Sequence, residues 1–230
     1  MSTHLLVCLP FAGAGASFYR NAQAPAGIDI LPIQLPGREE RFADALYPDL
    51  TAAVADIAQQ IHQAAAPGQR ILLLGHSFGA ILAFELARSL GSVVDHVYVS
   101  GSPDPWNPRA ERAAGLTDDE FVARVETFAG YTHPTLAHPE LRQIILPALR
   151  GDVGMHESYV AAPDAIIAAP ITTLRGADDE LVAEPDLHGW KRATSGEFSL
   201  RMFPGGHMYL ADNLTETLEF IAAAARVSHG

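Results

Sequence analysis

Short runs of Val, Ile and Leu alternate along this chain with longer segments that have helical periodicity. Six runs are predicted strands, and most of them are too continuously apolar to leave one face of a sheet in water: residues 5–9, 28–35, 70–74, 96–100, 171–175 and 198–203. Strands of this kind, separated by helices, are typical of a parallel sheet covered by helices on both faces. The pattern therefore predicts one α/β domain over residues 1–230.

The charge balance and the sole cysteine exclude several classes of protein. Fifteen Lys and Arg against 27 Asp and Glu give a net charge of −12, which argues against binding to nucleic acid. The most apolar stretch, residues 71–84, is interrupted by Gly75 to Ser77 and is too short for a membrane span. A signal peptide would require a cation before its apolar segment, but the first Lys or Arg of the sequence is Arg20. Cys8 is the sole cysteine and cannot form an internal disulfide. We expect a cytoplasmic protein without membrane partners.

The apolar faces of two segments predict buried helices. Residues 80–90 are apolar almost all round, which indicates a central helix buried against the sheet and ended by Gly91. A single apolar stripe recurs at helical spacing on an otherwise polar segment: Leu50, Val54, Ile57 and Ile61. This second helix should lie on one face of the sheet with its polar side in water.

Residues 103–163 break the alternation of strands and helices. Thr117 and Glu120 have the spacing of a capping box ahead of one helix, and residues 140–149, which include Pro147, form a second helical stretch. A helical insert after a strand is a common way to build a mobile cap over a site. We expect a lid insertion over about 103–163.

The segment Gly75-His76-Ser77-Phe78-Gly79 matches the GxSxG pattern between a predicted strand and the buried helix. In this context the serine lies on a sharp turn whose small neighbours let strand and helix approach closely. The helix N-terminus favours an oxyanion beside it. The motif predicts Ser77 as a nucleophile and the Phe78 N–H as an oxyanion donor.

A serine hydroxyl needs a base, and the base needs an acid that holds its tautomer. Of the ten histidines, His207 lies in a Gly-Gly loop directly after the last predicted strand and before the last helix. Asp178 and Asp179 follow the fifth strand, at the edge of the sheet where ligands bind in α/β proteins. We expect His207 as the base and one of these two aspartates as the acid.

The loop after the first strand, Pro10 to Gly15, should supply the second oxyanion donor, which we assign to the Ala12 N–H. A dinucleotide-binding fingerprint is the rival interpretation, but Phe18 stands where its third glycine should be. The insert contains His133, His138 and His156, which lack the spacing of a zinc site. The sequence therefore predicts neither a metal nor a bound cofactor.

These landmarks, in order, resemble the type II thioesterases, free-standing α/β-hydrolases that accompany polyketide synthases and non-ribosomal peptide synthetases. The resemblance rests on five segments: Leu9 to Gly13, Leu35 to Glu39, Gly75 to Arg88, Pro147 to Tyr159, and Gly205 to His207. It implies a triad of Ser77, Asp179 and His207, with Asp179 matching the family's acid by its distance from Gly176 and Val182. It also implies a monomer that hydrolyses acyl groups from the phosphopantetheine arm of acyl or peptidyl carrier proteins.

Three alternatives share parts of this interpretation. An esterase or lipase that acts on oxygen esters needs the same catalytic residues. A thioesterase that releases medium-chain fatty acids or a finished product has the same fold. A non-catalytic binding protein built on the hydrolase fold belongs to a different class and predicts no labelling of Ser77 by a serine-directed fluorophosphonate.

Overall fold

A parallel sheet forms the centre of the structure, a computed structural model that describes residues 4–107, 113, 115–129, 136 and 138–227. Within these ranges the sheet has six strands in the order β2-β1-β3-β4-β5-β6, all paired in parallel. The strands are His4–Leu9 (β1), Ile28–Pro32 (β2), Arg70–His76 (β3), Val94–Ser100 (β4), Ile171–Gly176 (β5) and Phe198–Phe203 (β6). The predicted α/β class and all six predicted strands are confirmed.

The second strand is shorter than its apolar run predicts. We expected it to continue to Leu35, but β2 ends at Pro32. It lies at the edge of the sheet beside β1, which itself ends at Leu9. The Ile33 N–H donates one more bond to the Cys8 carbonyl, at 3.0 Å, and no partner strand accompanies the chain beyond that point. The apolar side chains of Ile33 and Leu35 are buried in the core without being part of a strand.

Helices cover both faces of the sheet. They are Ser17–Arg20 (α1), Leu50–Ala64 (α2), Phe78–Leu90 (α3), Asp118–Ala129 (α4), Pro139–Ser158 (α5), Glu184–Leu187 (α6), Tyr209–Asp212 (α7) and Leu214–Val227 (α8). The odd-numbered side chains of β1 share a core with α2 and α3, and the even-numbered ones share a second core with α8. This division follows from the two-residue repeat of a strand. The predicted burial of α3 and its end at Gly91, with φ 64°, are confirmed.

Helices α4 and α5 lie between β4 and β5, within the predicted insert. The capping box is present, because the Glu120 carboxylate accepts the Thr117 N–H at 2.9 Å. The second helix was predicted too short: it runs past Leu149 to Ser158 and contains Pro147 in its interior. Buried side chains beyond residue 149, among them Asp152 and Glu157, anchor the later turns and outweigh the helix-breaking tendency of the sequence. In the ranges that the structure covers, no helix is both long and apolar enough to cross a membrane.

Candidate active site

The turn between β3 and α3 consists of Ser77 alone. Its φ of 53° and ψ of −112° are unusual for a residue with a side chain, and its N–H donates to the Ser100 carbonyl at 2.8 Å. Close approach of strand and helix explains the flanking glycines. A Cβ on Gly79 would lie 2.5 Å from the Leu9 carbonyl oxygen, and one on Gly75 would overlap the Gly79 carbonyl. The local sequence therefore forces the strained turn that the motif predicts.

His207 and Asp179 meet at the carboxyl edge of the sheet, in the loops that follow β6 and β5. The Nδ1 atom of His207 lies 2.9 Å from Oδ2 of Asp179, and both side chains are buried. The other carboxylate oxygen, Oδ1, accepts the N–H groups of Leu181 at 2.8 Å and Val182 at 3.1 Å. The neighbouring Asp178 is exposed. Of the two aspartates that the sequence left open, the structure brings Asp179 to the histidine.

The environment of Asp179 favours its ionised form. Burial raises the pKa of the carboxyl group, but the hydrogen bond and charge of His207 and the two backbone N–H donors lower it by more. The net pKa of Asp179 therefore lies below the ordinary value for aspartate. A carboxylate held in this way fixes the ring orientation of the histidine and directs Nε2 away from the acid.

A cavity of about 80 Å³ lies at this edge of the sheet. Four polar residues line it: Ser77, His207, His156 and Glu157. The remaining lining is apolar: Phe11, Ala12, Val125, Leu149, Val153 and Met208. The cavity thus joins the predicted nucleophile, the predicted base and the loop that carries the Ala12 N–H. Phe78, the first residue of α3, has a fully buried side chain and places its N–H at the helix terminus beside Ser77.

Two buried groups of side chains were not found from the sequence. The Arg175 guanidinium donates to the carbonyls of Ala177 at 3.0 Å and of Asp179 and Val182 at 2.6 Å. It thereby fixes the turn that carries Asp179. Only its position at the end of β5 hinted at such a role.

The second group lies beside His207. The His76 Nδ1 atom lies 2.9 Å from the Ser100 hydroxyl, which is 2.7 Å from the Tyr209 hydroxyl. The rings of His76 and His207 are 4.9 Å apart between centroids. Burial is the main cause that raises the pKa of Tyr209, so it is a neutral hydrogen-bonding group. Ser100 is fully buried and does not line the cavity, which separates it from Ser77.

The histidines of the insert have separate surroundings. His156 lines the cavity, His138 directly precedes α5, and His133 lies outside the described residues. Among the residues described, no three His, Cys, Asp or Glu side chains are grouped so that they would hold a metal ion. Cys8 is fully buried in β1, and its burial raises the pKa of the thiol far above its ordinary value, which suits a small core residue.

A serine on a strained turn between strand and helix, with an aspartate-supported histidine at the same edge of a parallel sheet, defines an α/β-hydrolase. The comparisons with known proteins narrow this class. A family model described as "Thioesterase domain" matches residues 4–225. The chain belongs to the thioesterase family and is a type II thioesterase, a hydrolase of thioesters.

Three relatives illustrate this membership. The chain is 37% identical over 224 residues to the probable cadicidin biosynthesis thioesterase of Streptomyces griseus, covering 95% of this chain but only 62% of that protein. It is 35% identical over 229 residues to the gramicidin S biosynthesis protein GrsT of Aneurinibacillus migulanus, covering 96% of this chain and 89% of that one. The solved structure of the type II thioesterase BorB from the borrelidin biosynthetic cluster superposes with a TM-score of 0.82 at 33% identity, covering 98% and 94% of the two chains. The predicted resemblance to type II thioesterases is confirmed.

Proposed function

We propose that this thioesterase hydrolyses acyl groups from the phosphopantetheine thiol of acyl and peptidyl carrier proteins, as an editing enzyme of polyketide or non-ribosomal peptide biosynthesis. The names of its relatives support this pathway, because they refer to gramicidin S biosynthesis and to the borrelidin cluster. The observation that carries the proposal is the cavity that Ser77 and His207 both line, with the ring of His207 held by Asp179.

In the first half of the reaction, the Ser77 hydroxyl oxygen attacks the thioester carbonyl carbon while its proton passes to Nε2 of His207. Asp179 holds the opposite ring nitrogen and stabilises the positive charge that forms on the imidazole. The carbonyl oxygen becomes an oxyanion, which accepts hydrogen bonds from the N–H groups of Phe78 and Ala12. The carbon–sulfur bond then breaks, and the pantetheine thiolate takes the proton from His207 and leaves as a thiol.

The second half restores the enzyme. Water attacks the acyl-serine ester and gives a proton to His207, and the same oxyanion donors stabilise the second tetrahedral intermediate. This intermediate collapses with cleavage of the ester bond, and His207 returns the proton to the Ser77 oxygen. The acid that is released ionises in water. Every proton and electron pair is supplied by the substrate, water and these side chains, so the mechanism needs no metal or cofactor.

The size of the cavity favours short acyl groups. A cavity of 150 Å³ in another protein holds one benzene molecule, so about 80 Å³ corresponds to a few heavy atoms. This supports the removal of short, stalled acyl units over the release of medium-chain fatty acids or finished products. Intact mass of carrier proteins loaded with acetyl to decanoyl groups tests this preference, and fastest hydrolysis of the longest chain would contradict it.

The region 103–163 is the lid in this proposal, because Val125 of α4 and Leu149 of α5 line the cavity from above the strand ends. We further propose that the enzyme works as a monomer in the cytoplasm, where carrier proteins receive their acyl groups. The sole cysteine, Cys8, is buried, which is compatible with a reducing compartment. Light scattering of the purified chain tests the oligomeric state.

The decisive experiment follows acyl release from a propionyl-loaded carrier protein by intact mass. Ser77→Ala should lower kcat by a factor on the order of 10⁴ or more, because the triad acts as a unit. Asp179→Asn should lower it by about 10³ to 10⁴, since the histidine loses its correct tautomer. The matched control is Asp178→Asn, which removes an exposed neighbouring carboxylate and should leave kcat within about twofold.

Two results would reject the assignment. Substantial activity in Ser77→Ala would exclude the proposed nucleophile, and equal losses in the two aspartate variants would exclude Asp179 as the specific acid. A matched pair of a propionyl thioester and a propionyl oxygen ester tests the esterase alternative. Faster turnover of the oxygen ester would assign the chain to that activity.

A further inference from the structure

We infer that Asp152 of α5, together with Arg38, is a positioning residue for the oxyanion hole, so that the helix lining the acyl cavity also sets the position of the Ala12 N–H. The inference rests on the proposed function, in which Ala12 is an oxyanion donor. Asp152 and Arg38 are distant in sequence from each other and from Ala12. Neither of them lines the cavity.

The Ala12 N–H belongs to a tight turn. The Ala14 N–H donates to the Phe11 carbonyl at 3.0 Å, and Gly13 has a φ of +79°, which the third residue of a type II turn requires. The Phe11 carbonyl and the Ala12 N–H are the two polar ends of one peptide group. The hydrogen bond that closes the turn therefore fixes the plane of the peptide that presents the Ala12 N–H.

Two ionised side chains hold this turn from behind. Asp152 Oδ2 accepts the Gly13 N–H at 2.9 Å, and Arg38 Nη1 donates to the Ala14 carbonyl at 3.1 Å. The two side chains also bind each other through two bonds, of 2.5 Å and 2.9 Å. Asp152 is 3% exposed and Arg38 is 8% exposed, so water does not replace either partner. Bidentate pairing gives this contact a defined geometry as well as strength.

The loop that contains Arg38 also forms hydrogen bonds with the residues that follow the Ala12 turn. The Gln34 side-chain oxygen accepts the Ala16 N–H at 3.2 Å, and the Glu39 carboxylate accepts both the N–H and the hydroxyl of Ser17. These bonds fix the later part of the loop to the body of the protein. Asp152 differs from Gln34 and Glu39 because it belongs to α5, which lies in the insert.

Helix α5 presents one face to both the substrate and the turn. Leu149 and Val153 line the cavity, and Asp152 lies three residues after Leu149, on the same side of the helix as that side chain. A Cβ on Gly13 would lie only 2.8 Å from Leu149 Cδ1, so the helix packs directly against the turn. An acyl group that shifts α5 therefore shifts the acceptor of the Gly13 N–H. In consequence, the fit of the acyl group should affect kcat more than KM.

The test compares Asp152→Asn with Arg150→Met. The first keeps an oxygen of the same shape but loses the charged pair with Arg38. The second removes a different ion pair of α5, which Arg150 makes with Asp118 at 2.8 Å; its hydrogen-bond partners, Asp118 and the Leu116 carbonyl, do not belong to the turn. We expect Asp152→Asn to lower kcat about 10- to 100-fold, less than the 10²- to 10³-fold loss on deleting an oxyanion donor, with KM changed less than about threefold. Arg150→Met should retain the wild-type kcat.

A second readout distinguishes positioning from general damage. A trifluoromethyl ketone analogue of the substrate adds to Ser77 as a hemiketal whose oxygen occupies the oxyanion hole, and its ionisation is followed by ¹⁹F NMR. In Asp152→Asn the pH of that ionisation should rise by about 1 to 2, the equivalent of a 10- to 100-fold weaker hole. It should stay at the wild-type value in Arg150→Met.

The outcomes separate the inference from the function on which it rests. An active Ser77→Ala overturns the proposed function, whatever Asp152→Asn does. An inactive Ser77→Ala combined with wild-type kcat and adduct ionisation in Asp152→Asn overturns the inference alone, as does an equal effect of Arg150→Met. If circular dichroism shows that Asp152→Asn is unfolded, Arg38→Lys replaces it, because lysine keeps the charge but cannot form the paired bonds. The inference then requires that Arg38→Lys lower kcat and raise the pH of adduct ionisation by the amounts given for Asp152→Asn.

Discussion

Arg175 offers a direct measure of how much the turn around Asp179 depends on a single buried side chain. The residue is 9% exposed, and its guanidinium donates to three backbone carbonyls, at 2.6 Å, 2.6 Å and 3.0 Å. Replacement by methionine keeps a similar length and volume and removes all three donors. The perturbation thus isolates the hydrogen bonds from the packing of the side chain.

The magnitude follows from the acceptors. Asp179 and Val182 are buried, and each of their carbonyls would be left without its donor at a cost of about 1–3 kcal/mol. Ala177 is exposed, so water can replace the third bond. Methionine also avoids the cost of burying a charge, which offsets part of the loss. We expect Arg175→Met to lower the free energy of unfolding by about 2–4 kcal/mol and Tm by roughly 4–16 °C.

Urea unfolding followed by circular dichroism and by tryptophan fluorescence measures this loss, provided that the two transitions coincide. Arg226→Met is the matched control, because Arg226 is exposed and its contact with the Ala26 carbonyl is 3.5 Å long. The control should change the free energy of unfolding by less than about 0.5 kcal/mol. A loss below about 1 kcal/mol in Arg175→Met, or one equal to the control, would refute the view that the three carbonyls depend on this guanidinium.

Three further outcomes are expected. Gly79→Ala places a Cβ 2.5 Å from the Leu9 carbonyl oxygen and should lower the free energy of unfolding by more than about 3 kcal/mol. Gly154→Ala, which has open space around it in the interior of α5, should raise the free energy of unfolding by about 0.5–1 kcal/mol. Thermal unfolding of the two variants tests both expectations. Ser77→Gly relieves the φ of 53° and should be about 1 kcal/mol more stable than Ser77→Ala in urea unfolding, although we expect both to be inactive. Equal stability would show that the turn is unstrained. Burial lowers the pKa of His96 from 6.5 to about 4, so the folded state disfavours its protonation and stability should fall as pH drops from 6.5 to 4. The loss, about 2.5 kcal/mol at pH 4.5, should be absent from His96→Gln across a pH series of urea midpoints.

The six strands and the cover of helices on both faces of the sheet follow from local patterns, so the sequence predicted them well. Continuous apolar runs and an all-round apolar helix leave few other ways to bury them. The two errors, at the end of β2 and at the end of α5, arose where contacts with other parts of the chain determine how far an element extends. The run 28–35 stops being a strand at Pro32 because β1 no longer accompanies it. Helix α5 continues past Leu149 because later side chains, including Asp152, are anchored to residues remote in sequence.

The candidate site likewise contains residues that local patterns predict and residues that depend on contacts remote in sequence. Ser77 and His207 could be predicted, because a strand, a glycine and a helix N-terminus are all recognisable within a few residues. The choice between Asp178 and Asp179 depends on which carboxylate faces the histidine across 28 positions of sequence, which spacing alone does not determine. Arg38 lies in one of the segments that carry the family resemblance, and Arg175 lies at the end of β5. Neither position shows which carbonyl or carboxylate oxygens the guanidinium binds.

The Ser77 turn and the Ala12 turn are held rigid in different ways, and this difference has a consequence for changing the acyl specificity. The Ser77 turn is fixed by its own backbone and by close packing at Gly79, so substitutions in the lid leave it intact. The Ala12 turn depends on a carboxylate from the same helix that lines the acyl cavity. A substitution at Leu149 that enlarges the cavity and lets α5 move inward therefore also moves the acceptor of the Gly13 N–H. Wider acyl acceptance should come with a lower kcat for every acyl group, unless the position of Asp152 is preserved.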